Sequence, residues 1–184
     1  MIRFAIGLLA VSAAFGAEPS SAPPRTVDAL DLERYQGRWY EVARKPNRFQ
    51  KACASDVLVQ YTGLPDGRVQ VFNQCSEADG DVRSVTGVAR RPEPRQHPAR
   101  LEVRFAPAWL SFLPMVWADY WVLDLDPEYR WAVVGGPGRK YLWVLSRTPE
   151  LGEETLEGIL KRVGEQGYDL SDLVRTRHTD AVSD

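Results

Sequence analysis

The sequence predicts an all-β protein: an eight-stranded up-and-down antiparallel β-barrel with one C-terminal α-helix packed outside it. Two observations carry that prediction. Short segments recur along the chain between turn signals at regular spacing, the pattern of a meander sandwich or barrel. Closing the meander into a barrel removes its exposed edges. After the last segment, one amphipathic stretch switches from period two to the three-and-four spacing of a helix. The 184 residues suffice for one domain with a full core. A formal charge of −2 points to neither nucleic acid nor an anionic membrane as partner.

At the N-terminus, Met1-Ile2-Arg3 precedes an apolar or small run from Phe4 to Gly16, closed by Ala17-Glu18-Pro19. One positive charge, a short apolar run and small residues describe an export signal over residues 1–17, too short to span a bilayer comfortably. No cysteine lies near that junction, so no lipid attachment is expected there. Residues 18–29, with Pro19, Pro23 and Pro24, are expected to be a disordered leader. The barrel domain is expected over residues 30–178 and a disordered tail over residues 179–184.

The barrel begins where a polar helical turn runs into Gly37, which permits a tight turn that a Cβ would obstruct. In the first strand, Arg38 to Arg44, alternation puts Trp39, Glu41 and Ala43 on one face and Tyr40, Val42 and Arg44 on the other. The other strands are expected over Cys53 to Tyr61, Arg68 to Cys75, Val82 to Arg90, Arg100 to Phe105, Tyr120 to Leu125, Arg130 to Gly135 and Tyr141 to Ser146. Asp66-Gly67, Asp79-Gly80, Asp126-Pro127 and Gly136-Pro137-Gly138 supply turns between them. Thr148-Pro149-Glu150 predicts the helix start, with a capping hydroxyl, proline at the first helical position and an acidic first turn. Leu156, Ile159, Leu160 and Val163 make the apolar stripe, and Gly167 can end the helix.

Three stretches resemble the signature regions of the lipocalins: Gly37-x-Trp39, Asp126 to Tyr129, and Leu145-Ser146-Arg147-Thr148-Pro149. The resemblance covers about residues 30 to 178, although Leu125-Asp126-Pro127 stands where many members have Thr-Asp-Tyr. The run from Trp39 to Arg44 and the run from Tyr141 to Pro149 are most similar to the bacterial lipocalin and apolipoprotein D group. That resemblance implies non-enzymatic binding, storage or transport of a small amphiphilic lipid, a fatty acid or lysophospholipid. It also implies a periplasmic place, with outer-membrane association, in support of envelope maintenance.

In such a barrel, Arg147 at the end of the last strand can reach across the closed end and stack on Trp39. That makes Gly37, Trp39 and Arg147 a structural plug rather than a ligand contact. A guanidinium over an indole contributes roughly 0.5–2 kcal/mol.

Carrying the alternation through each strand gives the expected ligand-binding wall. Ala43 comes from the first strand, Val57, Val59 and Tyr61 from the second, Val69 and Val71 from the third, and Val85 from the fourth. Leu101, Val103 and Phe105 come from the fifth, Tyr120 and Val122 from the sixth, and Tyr141 and Trp143 from the eighth. Such a lumen has room for side chains or one small ligand, so the alternative is that these residues simply fill the core. Glu41 and Asn73 are the polar exceptions; a buried carboxylate is costly unless paired or neutralised, so Glu41 is expected to be hydrogen-bonded low in the barrel, the alternative being that it orients a ligand. Cys53 and Cys75 share the inward parity of adjacent strands near the mouth, and in an exported protein they are expected to be bonded. A free reactive pair is the alternative, without a Cys-x-x-Cys motif to support redox catalysis.

Two loops belong to the mouth. Arg44, Lys45, Arg48 and Lys51 make the first basic around Phe49, with Arg48 and Lys51 placed to meet a ligand head group. The fifth, from Trp109 through Phe112 to Trp117, is more apolar than a solvated loop should be. It is either a flap over its own barrel or a lid that also touches a membrane surface or a partner, with Trp109 and Phe112 at the rim. His97 and His178 sit in a turn and near the tail, and no catalytic or metal-binding motif is present, so no catalytic residue, metal or cofactor is expected. The competing readings are a lipocalin-scaffold enzyme using Cys53, Tyr120 or Glu41, and a protein-interaction module using the loop over residues 109–117. A monomer and a homodimer fit the sequence equally.

Overall fold

The structure is a computed structural model and describes residues 22–179. The export signal expected over residues 1–17 and the tail beyond Thr179 lie outside the described residues. Asp31 opens a one-turn helix, α1 (Leu32–Tyr35), by accepting from the amides of Glu33 at 2.9 Å and Arg34 at 3.3 Å. The chain then turns at Gly37, where φ is +93° and an added Cβ would stand 3.2 Å from the Arg147 guanidinium. Both conditions favour glycine.

Eight antiparallel strands follow: β1 (Gly37–Arg44), β2 (Cys53–Gly63), β3 (Val69–Glu77), β4 (Val82–Arg90), β5 (Arg100–Arg104), β6 (Ala118–Leu125), β7 (Trp131–Gly135) and β8 (Leu142–Ser146). Each pairs with its sequence neighbour, and β1 pairs with both β2 and β8, which closes the barrel. The connections after β1, β3, β5 and β7 therefore lie at one end, the mouth. Those after β2, β4 and β6 lie at the other, with α1 and Arg147.

β1 departs from a regular strand in two ways. Its ladder to β8 shifts between Glu41, opposite Leu145, and Ala43, opposite Val144. A bulge of this kind reverses the parity of everything after it. Ala43, expected on the inner wall, consequently packs outside with Val144 and Ile159, and Arg44 takes the inner register opposite Trp143. The second departure is at the seam with β2, which is paired only over Gly37–Tyr40. Above that, β9 (Val174–Arg175), which the sequence did not announce, pairs with Ala43 and Arg44. Thr176 N–H then donates to Val42 O at 2.9 Å and Asp56 N–H to Arg177 O at 2.9 Å, so the C-terminal segment bridges the upper seam.

The second helix, α2 (Glu153–Glu165), buries Leu156, Ile159 and Val163 against Val42, Leu123, Val133 and Val144 on the outside of the barrel. Burying each aliphatic side chain contributes about 1.5–3 kcal/mol. This helix begins later than Thr148-Pro149 predicts. The Thr148 hydroxyl instead donates to Glu150 O at 2.6 Å, and Gly152 is the N-cap. Gly167, at φ +85°, follows the helix end as expected.

Residues 22–29, expected to be disordered, instead dock on the fold. Arg139 donates to Ala22 O, Arg25 N–H to Gln166 Oε1 at 2.7 Å, and Val27 N–H to Val122 O at 3.0 Å. No helix among the described residues is long and apolar enough to cross a membrane.

Candidate functional site

The closed end is sealed by a stack. Trp39 is fully buried, donates from Nε1 to Tyr35 O at 2.8 Å, and carries the Arg147 guanidinium 3.8 Å from its ring centroid. Arg147 also donates to Arg34 O at 2.7 Å, Arg38 O at 2.9 Å and Tyr129 O at 3.3 Å. Its fork geometry suits several carbonyls at once. Burial pulls the Arg147 pKa below its ordinary value, against the opposing influence of Tyr35 and Tyr61.

Above Trp39, three tyrosines from different elements meet. The hydroxyls of Tyr35 and Tyr120 are 2.8 Å apart, and those of Tyr61 and Tyr120 are 2.6 Å apart. Burial pushes all three hydroxyls above the ordinary phenol range, so they stay protonated. Tyr61 and Tyr120 were expected on the wall; Tyr35 comes from α1 and was not.

The wall itself follows the alternation on most strands. Val59, Tyr61, Val69, Val71, Leu101 and Val122 belong to one buried cluster with Trp39, and Val103, Tyr120 and Trp143 pack against it. Val57 is buried but joins neither core cluster. Tyr141 stacks on Trp143 at 5.8 Å between centroids, with Phe49 at 5.7 Å from Tyr141 on the mouth side. Inner-face residues keep exposure towards the mouth: Val85 is 46% and Phe105 41% exposed. Gly87 lies beneath Phe105, where a Cβ would come within 2.6 Å of that ring. Two surface clefts lie elsewhere, one between α1 and the β2–β3 turn and one beside residues 176–179.

Near the mouth, Glu41 is almost wholly buried and fully engaged. Its carboxylate accepts from Arg44 at 2.6 Å, Gln50 at 2.6 Å and the Thr176 hydroxyl, while Gln50 Oε1 accepts from Trp143 Nε1 at 2.8 Å. Glu41 is thus a structural hub, and its partners Arg44, Gln50 and Thr176 could not be placed beside it by strand alternation. Cys53 and Cys75 form a disulfide with their Cα atoms 5.5 Å apart.

The rim combines cations and apolar side chains. Arg44 is taken up by Glu41, and Lys45 by Asp172 and Asp169 O, which leaves Arg48 and Lys51 exposed on the first loop. The fifth connection is anchored at Trp117, whose Nε1 donates to Ser111 O at 2.9 Å and whose ring lies 3.8 Å beneath the Arg90 guanidinium. Trp109, Phe112 and Met115 are nevertheless 73%, 74% and 85% exposed. Among the described residues, no group of three or more His, Cys, Asp or Glu side chains could hold a metal ion.

A closed eight-stranded antiparallel barrel with an apolar inner wall and one plugged end is an architecture with room for side chains or one small ligand. The lipocalin-like domain family matches residues 30–178, and the chain belongs to the lipocalin family. It is 42% identical over 155 residues to temperature-induced lipocalin-1 of Arabidopsis thaliana, covering 84% of this chain and 82% of that protein. It is 35% identical over 158 residues to the outer membrane lipoprotein Blc of Escherichia coli, covering 84% of this chain and 85% of that one. Among solved structures, insecticyanin from the tobacco hornworm Manduca sexta superposes with a TM-score of 0.68 at 19% identity, covering 90% of each chain, a likeness of fold.

Proposed function

We propose that this lipocalin carries a fatty acid or lysophospholipid in the bacterial periplasm, without catalysing a reaction on it, in support of envelope maintenance. The observation that carries the reading is the inner wall: aliphatic and aromatic above the tyrosine hydroxyls, and still exposed at Val85 and Phe105 where it meets the mouth. The acyl tail lies inside and its charged head stays at the rim beside Arg48 and Lys51. Trp109, Phe112 and Met115 favour loading at a lipid surface, since large apolar side chains left in water mark contact sites. The exported, outer-membrane setting is supported by the signal-like pattern of residues 1–17 and by the similarity to an outer membrane lipoprotein.

Titration with a fatty acid should perturb the fluorescence of Trp143 at one-to-one stoichiometry. Affinity should rise with chain length until the lumen is full, since each buried methylene is worth about 0.8 kcal/mol. Val103→Asp should abolish binding by making the wall costly to desolvate. No saturable binding, or binding indifferent to Val103→Asp, would show a filled core.

A further inference from the structure

We infer that the tyrosine cluster at the base of the lumen is a second recognition element, a neutral hydrogen-bond donor for a carbonyl oxygen carried at the inner end of an apolar ligand. The inference rests on the lipid-carrier reading and adds the chemistry of the ligand's buried end.

Counting protons leads to it. Three phenolic hydroxyls hold three protons, and the contacts Tyr35–Tyr120 at 2.8 Å and Tyr61–Tyr120 at 2.6 Å use two. Whichever way the donors point, one O–H has no acceptor among the described residues. If Tyr35 and Tyr61 both donate to Tyr120, the remaining proton is that of Tyr120. Val59, Leu101, Val122 and Val134, which carry no acceptor on their side chains, belong to the same buried cluster. An O–H on an apolar wall gains a hydrogen bond when a ligand brings an acceptor to it.

Tyr120 is also the member of the cluster placed to meet a ligand. It stands on β6 opposite Leu101, an inner-cluster residue. Tyr35 and Tyr61 are closed off, whereas part of the Tyr120 side chain remains accessible.

The acceptor it suits is neutral. The guanidinium that acts on the cluster, that of Arg147, lies on the face of Trp39 and is spent on Arg34 O, Arg38 O and Tyr129 O. A carboxylate at this depth would therefore lack an ionic partner and carry its full desolvation cost. A ketone, ester or amide carbonyl needs only a donor. A plain alkyl end would leave the hydroxyl unanswered.

Isothermal titration calorimetry with two matched ligand series tests this. One is the saturated fatty acids of twelve to eighteen carbons, and the other is the same acids bearing a ketone on the penultimate carbon. At the length that reaches the base, the keto acid should bind the wild-type protein about tenfold more tightly than the plain acid, the scale of one well-made hydrogen bond. Tyr120→Phe should remove that preference, bringing the keto acid and the plain acid of that length to equal affinity. Tyr61→Phe should retain the preference, because two protons and one remaining contact still leave one donor. Equal affinity of keto and plain acids at every length overturns the inference while the carrier reading stands. So does a preference that survives Tyr120→Phe, or one lost equally in both variants. If neither series binds, the carrier reading fails and the inference with it.

Discussion

At the closed end, the Arg147 charge is consumed by the fold: it covers Trp39 and donates to three backbone carbonyls. At the mouth, Arg48 and Lys51 extend into solvent, and neither forms an ion pair among the described residues. The apolar groups differ in the same way. Trp39 is fully buried, whereas Trp109, Phe112 and Met115 are left exposed. One end has spent its interactions on the fold, and the other leaves its charged and apolar side chains in solvent. Between the two lies the upper seam of β1, where a buried charged network and the C-terminal segment do what direct strand pairing does lower down. Substitutions should sort accordingly.

The seam should give the largest effect. Glu41→Ala leaves Arg44 buried without its carboxylate and strips acceptors from Gln50 and Thr176. Removing one partner of a buried pair typically costs about 3–5 kcal/mol. Denaturant unfolding should show a loss of that order, and ligand affinity should change too, because Gln50 also holds Trp143. A loss below about 1 kcal/mol, the range of exposed pairs, would mean that the backbone pairing of β9 alone holds the seam.

Arg147→Ala comes next, at about 2–3 kcal/mol from the indole contact and hydrogen bonds to a charged donor. Here affinity measured well below the melting temperature should not move. Weakened binding in a protein of unchanged stability would erase the distinction between the ends.

How far these roles could be read from the sequence depended on how local their causes are. Strand limits were legible to within two residues, because alternation and turn chemistry are properties of short stretches. The plug was legible because Gly37, Trp39 and Arg147 recur as a family signature. The Glu41–Arg44 pair was not, since residues three apart on a regular strand face opposite ways. One inserted residue makes the pair, and period-two counting then misplaces Ala43. The tyrosine cluster was half legible: parity put Tyr61 and Tyr120 inside, but only the folded barrel brings Tyr35 to them. Thr148-Pro149 carried a sound local signal, but equally local bonds of the Thr148 hydroxyl, with Ser146 and Glu150 O, replace the cap.

A smaller effect should come from acid. Burial alone would raise the Asp56 pKa, but hydrogen bonds from Ser55, from the Thr179 amide and hydroxyl, and from Ser76 together outweigh it and hold the carboxyl below its ordinary value. A group depressed in the folded state contributes stability above its unfolded pKa, about 3.9, and loses it as pH falls through the folded value. The C-terminal segment should therefore stay docked at neutral and mildly acid pH and detach only below about pH 4. Amide exchange at Thr179 reports this directly. Protection already lost between about pH 7 and 5 would assign the contact to another group, and Asp56→Asn should flatten the acid dependence.

The smallest effect is the most specific to the mouth. Replacing Arg48 and Lys51 together by glutamine removes two exposed cations beside Phe49 and leaves Arg44 and Lys45 in their buried pairs. Exposed pairs contribute little, so a fatty acid should lose only roughly three- to tenfold in affinity, while its methyl ester of equal chain length should bind unchanged. Raising the salt should shrink the difference, since screening acts within about 10 Å at 0.1 M. An equal loss for acid and ester would mean that the two residues act through the packing of Phe49 over Tyr141. A loss for the acid that persists at high salt would place its head below the rim, inside the barrel, where solvent ions do not reach.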